Sequence, residues 1–145
     1  MFTHILIPTD GSALSAAAVE KAMAFAKDTG AKVTVLTVVE PFHIFTVEPA
    51  QLADTEAEYQ RESTQRAARY LTDAGHKASA AGVSYDTVQV VHEHPYQAII
   101  DTAAEKGCDL IAMATHGRRG VSAIVLGSET LKVLTHSKTP VLVYR

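Results

Sequence analysis

The stretch Ile5-Leu6-Ile7-Pro8-Thr9-Asp10-Gly11-Ser12 decides the fold. Three consecutive apolar residues without polar alternation fit a strand covered on both faces, as strands of parallel sheets are. Pro8 ends the run, and Thr9-Asp10-Gly11-Ser12 is turn chemistry. Ser12 is placed to N-cap an Ala-rich helix running to about Thr29, because its hydroxyl can take one of the first orphan N–H groups. Val19, Ala22, Met23 and Ala26 fall on one stripe at helical spacing, the core-facing one. Gly30 then stops the helix by accepting a left-handed conformation.

Outward from this unit, Val33 to Val39 is a β-branched second strand. Glu40 to about Pro49 contains proline and aromatics without periodicity and reads as a loop. Gln51 to about Ala81 holds strong helix formers, with Gly75 as a point of weakening or bending. Its charges, Glu56, Glu58, Arg61, Glu62, Arg66 and Arg69, read as a solvated helix face. Tyr85 to Val91 is the third strand, and Pro95 opens a helix at the position where its missing N–H costs nothing. That helix ends near Gly107, and Leu110 to Ala114 is the fourth strand. A loop from His116 to about Ser122, a helix opened by Gly127-Ser128 and running to about Thr135, and a last strand from Val141 to Tyr144 follow.

The alternation predicts one α/β domain over residues 1–145: an open five-stranded parallel sheet with helices on both faces. With strand order 3-2-1-4-5, the winding reverses between the first and fourth strands. Ligands bind there, beyond the carboxyl ends of the strands. The two most unusual loops of the sequence follow those two strands.

Bulk properties narrow the class. A chain of 145 residues with 47% hydrophobic content buries about 70% of its unfolded surface and needs no staple. A net charge of −3 gives no polyanion-binding surface and argues against a nucleic-acid partner. The single cysteine, Cys108, fits a reducing compartment and reads as a semi-buried small residue rather than a nucleophile. The N-terminus lacks a basic segment leading into an apolar run, and no stretch is long and apolar enough to span a bilayer. The expectation is a cytoplasmic protein without a membrane partner.

The fourth-strand loop reads Met113-Ala114-Thr115-His116-Gly117-Arg118-Arg119-Gly120, and Gly127-Ser128-Glu129-Thr130 opens the next helix. Glycines let a backbone approach a ligand, and helix N-termini present free N–H groups to anions. With the hydroxyls of Ser128 and Thr130 they form a candidate phosphate cradle. The same residues also serve as an ordinary turn and cap, and Asp10 as an ordinary turn residue. Arg118, Arg119 and His116 either meet phosphates or are loop residues. His92 and His94 are two apart, which in a strand would place them on one face, but the sequence completes no metal-ligand set around them. GxxxxGK[ST], GxGxxG and GxSxG are all absent.

The chain resembles the universal stress protein family, and specifically its ATP-binding members. Their motif is Gly, two residues, Gly, nine residues, then Gly followed by Ser or Thr. Here Ala114, Gly117 and Gly127-Ser128 stand at that spacing. The opening (Ile5 to Ser12) and the ending (Ser137-Lys138-Thr139-Pro140-Val141-Leu142-Val143) match as well, so the resemblance covers the whole chain. It implies a Rossmann-like fold of the adenine nucleotide alpha hydrolase kind. It also implies that Pro8, Thr9, Asp10 and Val38 line the adenine, that Met113 and Ala114 lie near the ribose, and that Gly117, Gly127, Ser128 and Thr130 hold phosphates. The implied ligand is ATP, with ADP or AMP as shorter forms the cradle would also accept and Mg or Mn beside the phosphates. The departure is Ala114, whose methyl replaces the first glycine and either crowds the ribose or is accommodated.

Three functions follow from these residues. The first is an ATP-binding stress-response sensor or regulatory module without catalytic residues of its own. The second is a stress protein that binds no nucleotide and works through protein contacts, its partners unknown. The third is a slow adenine-nucleotide hydrolase, for which Asp10 and Glu129 are the available acids. The last strand would be an apolar edge, which invites a homodimer through Val141 to Tyr144, as the resemblance also implies.

Overall fold

The computed structural model describes residues 1–42, 49–116 and 126–145, with 49–54 described by their backbone alone. Five parallel strands, β1 (His4–Pro8), β2 (Lys32–Val39), β3 (Tyr85–Val91), β4 (Leu110–Ala114) and β5 (Val141–Tyr144), form one sheet in the order β3-β2-β1-β4-β5. Helices α1 (Ala13–Thr29), α2 (Pro49–Ala81), α3 (Pro95–Lys106) and α4 (Ser128–His136) connect them.

The sequence signals act as read at most element ends. The Ser12 hydroxyl accepts from the Ser15 N–H (3.2 Å), which caps α1. Gly30 and Gly107 terminate α1 and α3 in the left-handed conformation. The second helix begins at Pro49, two residues before the expected Gln51, with the proline at its first helical position. The helix also runs through Gly75 without interruption.

Alternation along the central strands divides the core into two layers. Ile5, Ile7, Val33, Val35, Leu110 and Ala112 pack with Val19, Met23 and Leu71 under α1 and α2. Leu6, Leu36, Ile111 and Met113 pack with Ile99, Ala103 and Val133 under α3 and α4. Ile5, Leu6 and Ile7 expose none of their surface, as a doubly covered strand requires. Truncating any of them to alanine would cost about 2–5 kcal/mol.

At the amino edge of the sheet a polar chain crosses three strands. Lys106 Nζ donates to Asp86 Oδ2 (2.7 Å), and Thr34 Oγ1 donates to Asp86 Oδ1 (2.6 Å). The Thr34 proton is thereby used, so His4 Nε2, 2.7 Å from Thr34 Oγ1, is the donor in that contact. Asp109 accepts from the backbone N–H groups of Thr3 and His4. Among the described residues no helix is long and apolar enough to cross a membrane.

Candidate functional site

At the opposite, carboxyl edge the strand order reverses between β1 and β4, and a cleft of about 410 Å³ opens there. Pro8, Thr9 and Asp10 from the end of β1, Val38 from β2, Met113 and Ala114 from β4, and Gly127, Ser128 and Thr130 from the start of α4 all line it. Nine of the ten residues singled out in the sequence therefore come together. The tenth, Gly117, lies outside the described residues, as do Arg118, Arg119 and Gly120.

The β1–α1 turn is pinned from several directions. Thr9 N–H donates to the Leu36 carbonyl (2.8 Å), and Thr37 Oγ1 donates to the Thr9 carbonyl (3.1 Å). Thr9 Oγ1 accepts from Ser15 Oγ (3.0 Å), and Asp10 Oδ1 accepts from the Ser12 N–H (3.0 Å). Gly11 has φ +77°, and a Cβ there would stand inside the Tyr70 ring, so both the backbone and the neighbour demand glycine. The turn is thus a rigid floor on which Asp10 is set.

On the other side, the Gly127 N–H donates to the Thr115 carbonyl (2.8 Å), which brings the start of α4 against the end of β4. A Cβ on Gly127 would lie 3.1 Å from that carbonyl oxygen and 3.3 Å from His116 Cα, so the close approach depends on glycine. Ser128, Glu129 and Thr130 form the first turn of α4, whose N–H groups have no intrahelical acceptor. The Thr130 hydroxyl donates to the Ala114 carbonyl (3.0 Å), so its proton fastens α4 to β4, and it is its first-turn backbone N–H that has no intrahelical acceptor. Glu129 accepts from the Tyr96 N–H (2.9 Å) and pairs with Lys132 (3.4 Å), tying α4 to the start of α3. His116 is buried against the same cleft, with Nδ1 3.1 Å from Thr115 Oγ1.

A further wall escaped the sequence reading. Tyr59, Ser63, Arg66, Ala67 and Tyr70 of α2 also line the cleft. Arg66, which the sequence groups with the solvated charges of α2, is half-buried and faces the cavity. The reason is length. A 33-residue helix spans about 50 Å, whereas the eight residues of β2 span about 26 Å. The first half of α2 therefore overhangs the carboxyl edge of the sheet. The signal that could have found this wall is the spacing 59, 63, 66, 67, 70, one helical face carrying no aliphatic side chain larger than alanine.

Comparison with known proteins adds an independent line. The model of the universal stress protein family matches residues 1–145. Universal stress protein YxiE of Bacillus subtilis is 32% identical over 152 aligned positions, covering 100% of both chains. The solved structure of protein MJ0577, a universal stress protein of Methanocaldococcus jannaschii, superposes with a TM-score of 0.81 at 29% identity, covering 99% of this chain and 95% of that one. A universal stress protein solved in complex with cAMP superposes with a TM-score of 0.72 at 27% identity, covering 99% and 97%.

Proposed function

The chain belongs to the universal stress protein family, and from that membership we propose that it binds an adenine nucleotide, ATP first, as a nucleotide-dependent stress-response module. The observation that carries this reading is the cleft itself. It sits at the reversal of strand order, with a rigid turn on one side and the free first-turn amides of a glycine-opened helix on the other. The relative solved with cAMP supports an adenine ligand. In this proposal Pro8, Thr9, Asp10 and Val38 face the base, and Met113 and Ala114 the ribose. Gly127, Ser128 and the Thr130 N–H hold phosphates together with Gly117.

Mg or Mn would enter with the phosphates. Among the described residues no group of three or more His, Cys, Asp or Glu side chains stands together to hold a metal on its own. Binding is favoured over hydrolysis because Glu129 is engaged by Tyr96 and Lys132, while Asp10 accepts from the Ser12 amide. The free, buried Cys108 fits a reducing compartment such as the cytoplasm.

We also propose a homodimer through β5. Its residues are half-buried at the edge of the sheet, and Leu131 and Leu134 of the neighbouring α4 are exposed. Val143→Asp should convert a dimer to monomer on a sizing column, and an unchanged elution volume would rule out this interface. Nucleotide binding is tested by denaturing freshly purified protein and chromatographing the supernatant. Near-stoichiometric adenine nucleotide supports the reading. Its absence, with no heat on titrating ATP, overturns it in favour of a member acting through protein contacts.

A further inference from the structure

The α2 wall adds a row of planar side chains to the cleft. Three of its side chains, Tyr59, Arg66 and Tyr70, end in planar π groups on one helical face. The two rings are braced from behind. The Tyr59 hydroxyl donates to the Glu40 carbonyl (2.9 Å), and the Tyr70 ring lies in the space that a Cβ on Gly11 would fill. Arg66 is held far less firmly. Its hydrogen bond from Nη2 to Ser63 Oγ is 3.5 Å long, at the outer limit for such a bond, and among the described residues it forms no ion pair. A half-buried guanidinium without a carboxylate is poorly compensated until something planar or anionic completes it.

Position along the cleft decides which part of a nucleotide would do so. α2 stands over β2 and β3 beside α1, whereas α4 stands beside α3. The first-turn amides of α4 attract a polyphosphate to their end of the cleft. The base is left for α2.

We infer that α2 is the base-binding wall of the cleft, with Arg66 stacking its guanidinium plane on a purine alongside the braced tyrosine rings. This rests on the nucleotide reading above and adds what holds the base. Arg66 is well suited to a test, because among the described residues a single long hydrogen bond is drawn from it.

The experiment is titration calorimetry with adenosine and with ATP on the wild type and on Arg66→Ala, Arg66→Gln and Arg66→Lys. The ligand-free unfolding midpoint of each is measured as a control. Arg66→Ala should weaken adenosine and ATP by the same factor, about fivefold or more, the lower end for a lost base stack. Gln, planar and uncharged, should retain more affinity than Lys, charged and not planar. Selective loss of ATP with recovery in Arg66→Lys would overturn the inference and make Arg66 a phosphate ligand. Unchanged affinities for both ligands would overturn it and return Arg66 to a solvated flank. A wild type that binds neither ligand would overturn the nucleotide reading as well, so the two failures are distinguishable.

Discussion

The two edges of the sheet carry polar groups in opposite states. At the amino edge, His4, Thr34, Asp86 and Lys106 bond to one another in sequence, and Asp109 is satisfied by the Thr3 and His4 amides. At the carboxyl edge, hydroxyls, carboxylates, helix amides and a guanidinium surround an open volume. The amino edge also holds displaced ionisations. Burial, then the Lys32 charge, pulls the His4 imidazole below its ordinary value. Burial pushes the Asp86 carboxyl up, but hydrogen bonds from Lys106 and Thr34 reverse this and leave it below the usual carboxylate range. Burial drives the Cys108 thiol up to about 11. A perturbed ionisation is often taken to flag a functional site. Here it flags a closed structural network, and the site is recognised instead by what its groups leave open.

The contrast breaks most sharply at Gly127. Gly127→Val puts carbon against the Thr115 carbonyl and His116 Cα, pushes the α4 amides off β4, and should weaken ATP by about 100-fold, equivalent to roughly 2.8 kcal/mol. Gly127→Ala, which needs a shift of a few tenths of an ångström, should lose less in the same direction by calorimetry. Wild-type affinity in both variants would mean that the start of α4 is no phosphate cradle. Thr34→Val is the complementary change. It strands the fully buried link between His4 and Asp86 and should cost about 1–3 kcal/mol in denaturant unfolding, with ATP affinity unaltered. A fall in affinity would show that the two edges are coupled.

The smallest effect is one of pH. His4 and Asp86 both have folded values below their unfolded ones. Each therefore contributes stability above its unfolded value that is lost as pH falls through its folded value. The His4 contribution should begin to fade below about pH 6.5, and that of Asp86 below about pH 4. In unfolding curves taken from pH 8 to pH 4, His4→Gln should remove the first loss. A wild-type stability that rises on acidification across this range would reverse the sign and contradict the account.

The sequence carried the sheet because its signals are local. The apolar run Ile5 to Ile7, the β-branched run Val33 to Val39, and the stops at Gly30 and Gly107 each dictate their own conformation, and right-handed crossovers then leave few strand orders. The turn after β1 and the start of α4 were legible for the same reason. What was not legible depends on where an element stands relative to another. Helical spacing groups Arg66 with Tyr59 and Tyr70, but only the overhang of α2 beyond the sheet turns that face toward a cleft. Likewise the Thr130 hydroxyl and the Glu129 carboxylate look like cradle and acid groups until Ala114 and Tyr96 are seen to engage them. His4 carries no local signal of its role, because its chain to Lys106 spans residues far apart in sequence.

The most direct test is to titrate ATP into isotope-labelled protein and map the backbone amide shifts by NMR. The account predicts saturable shifts centred on Thr9, Asp10, Val38, Met113, Ala114, Ser128 and Thr130, with Thr34, Asp86 and Asp109 unmoved. Saturating ATP that moves no cleft amide, or shifts centred on the amino edge, would contradict it.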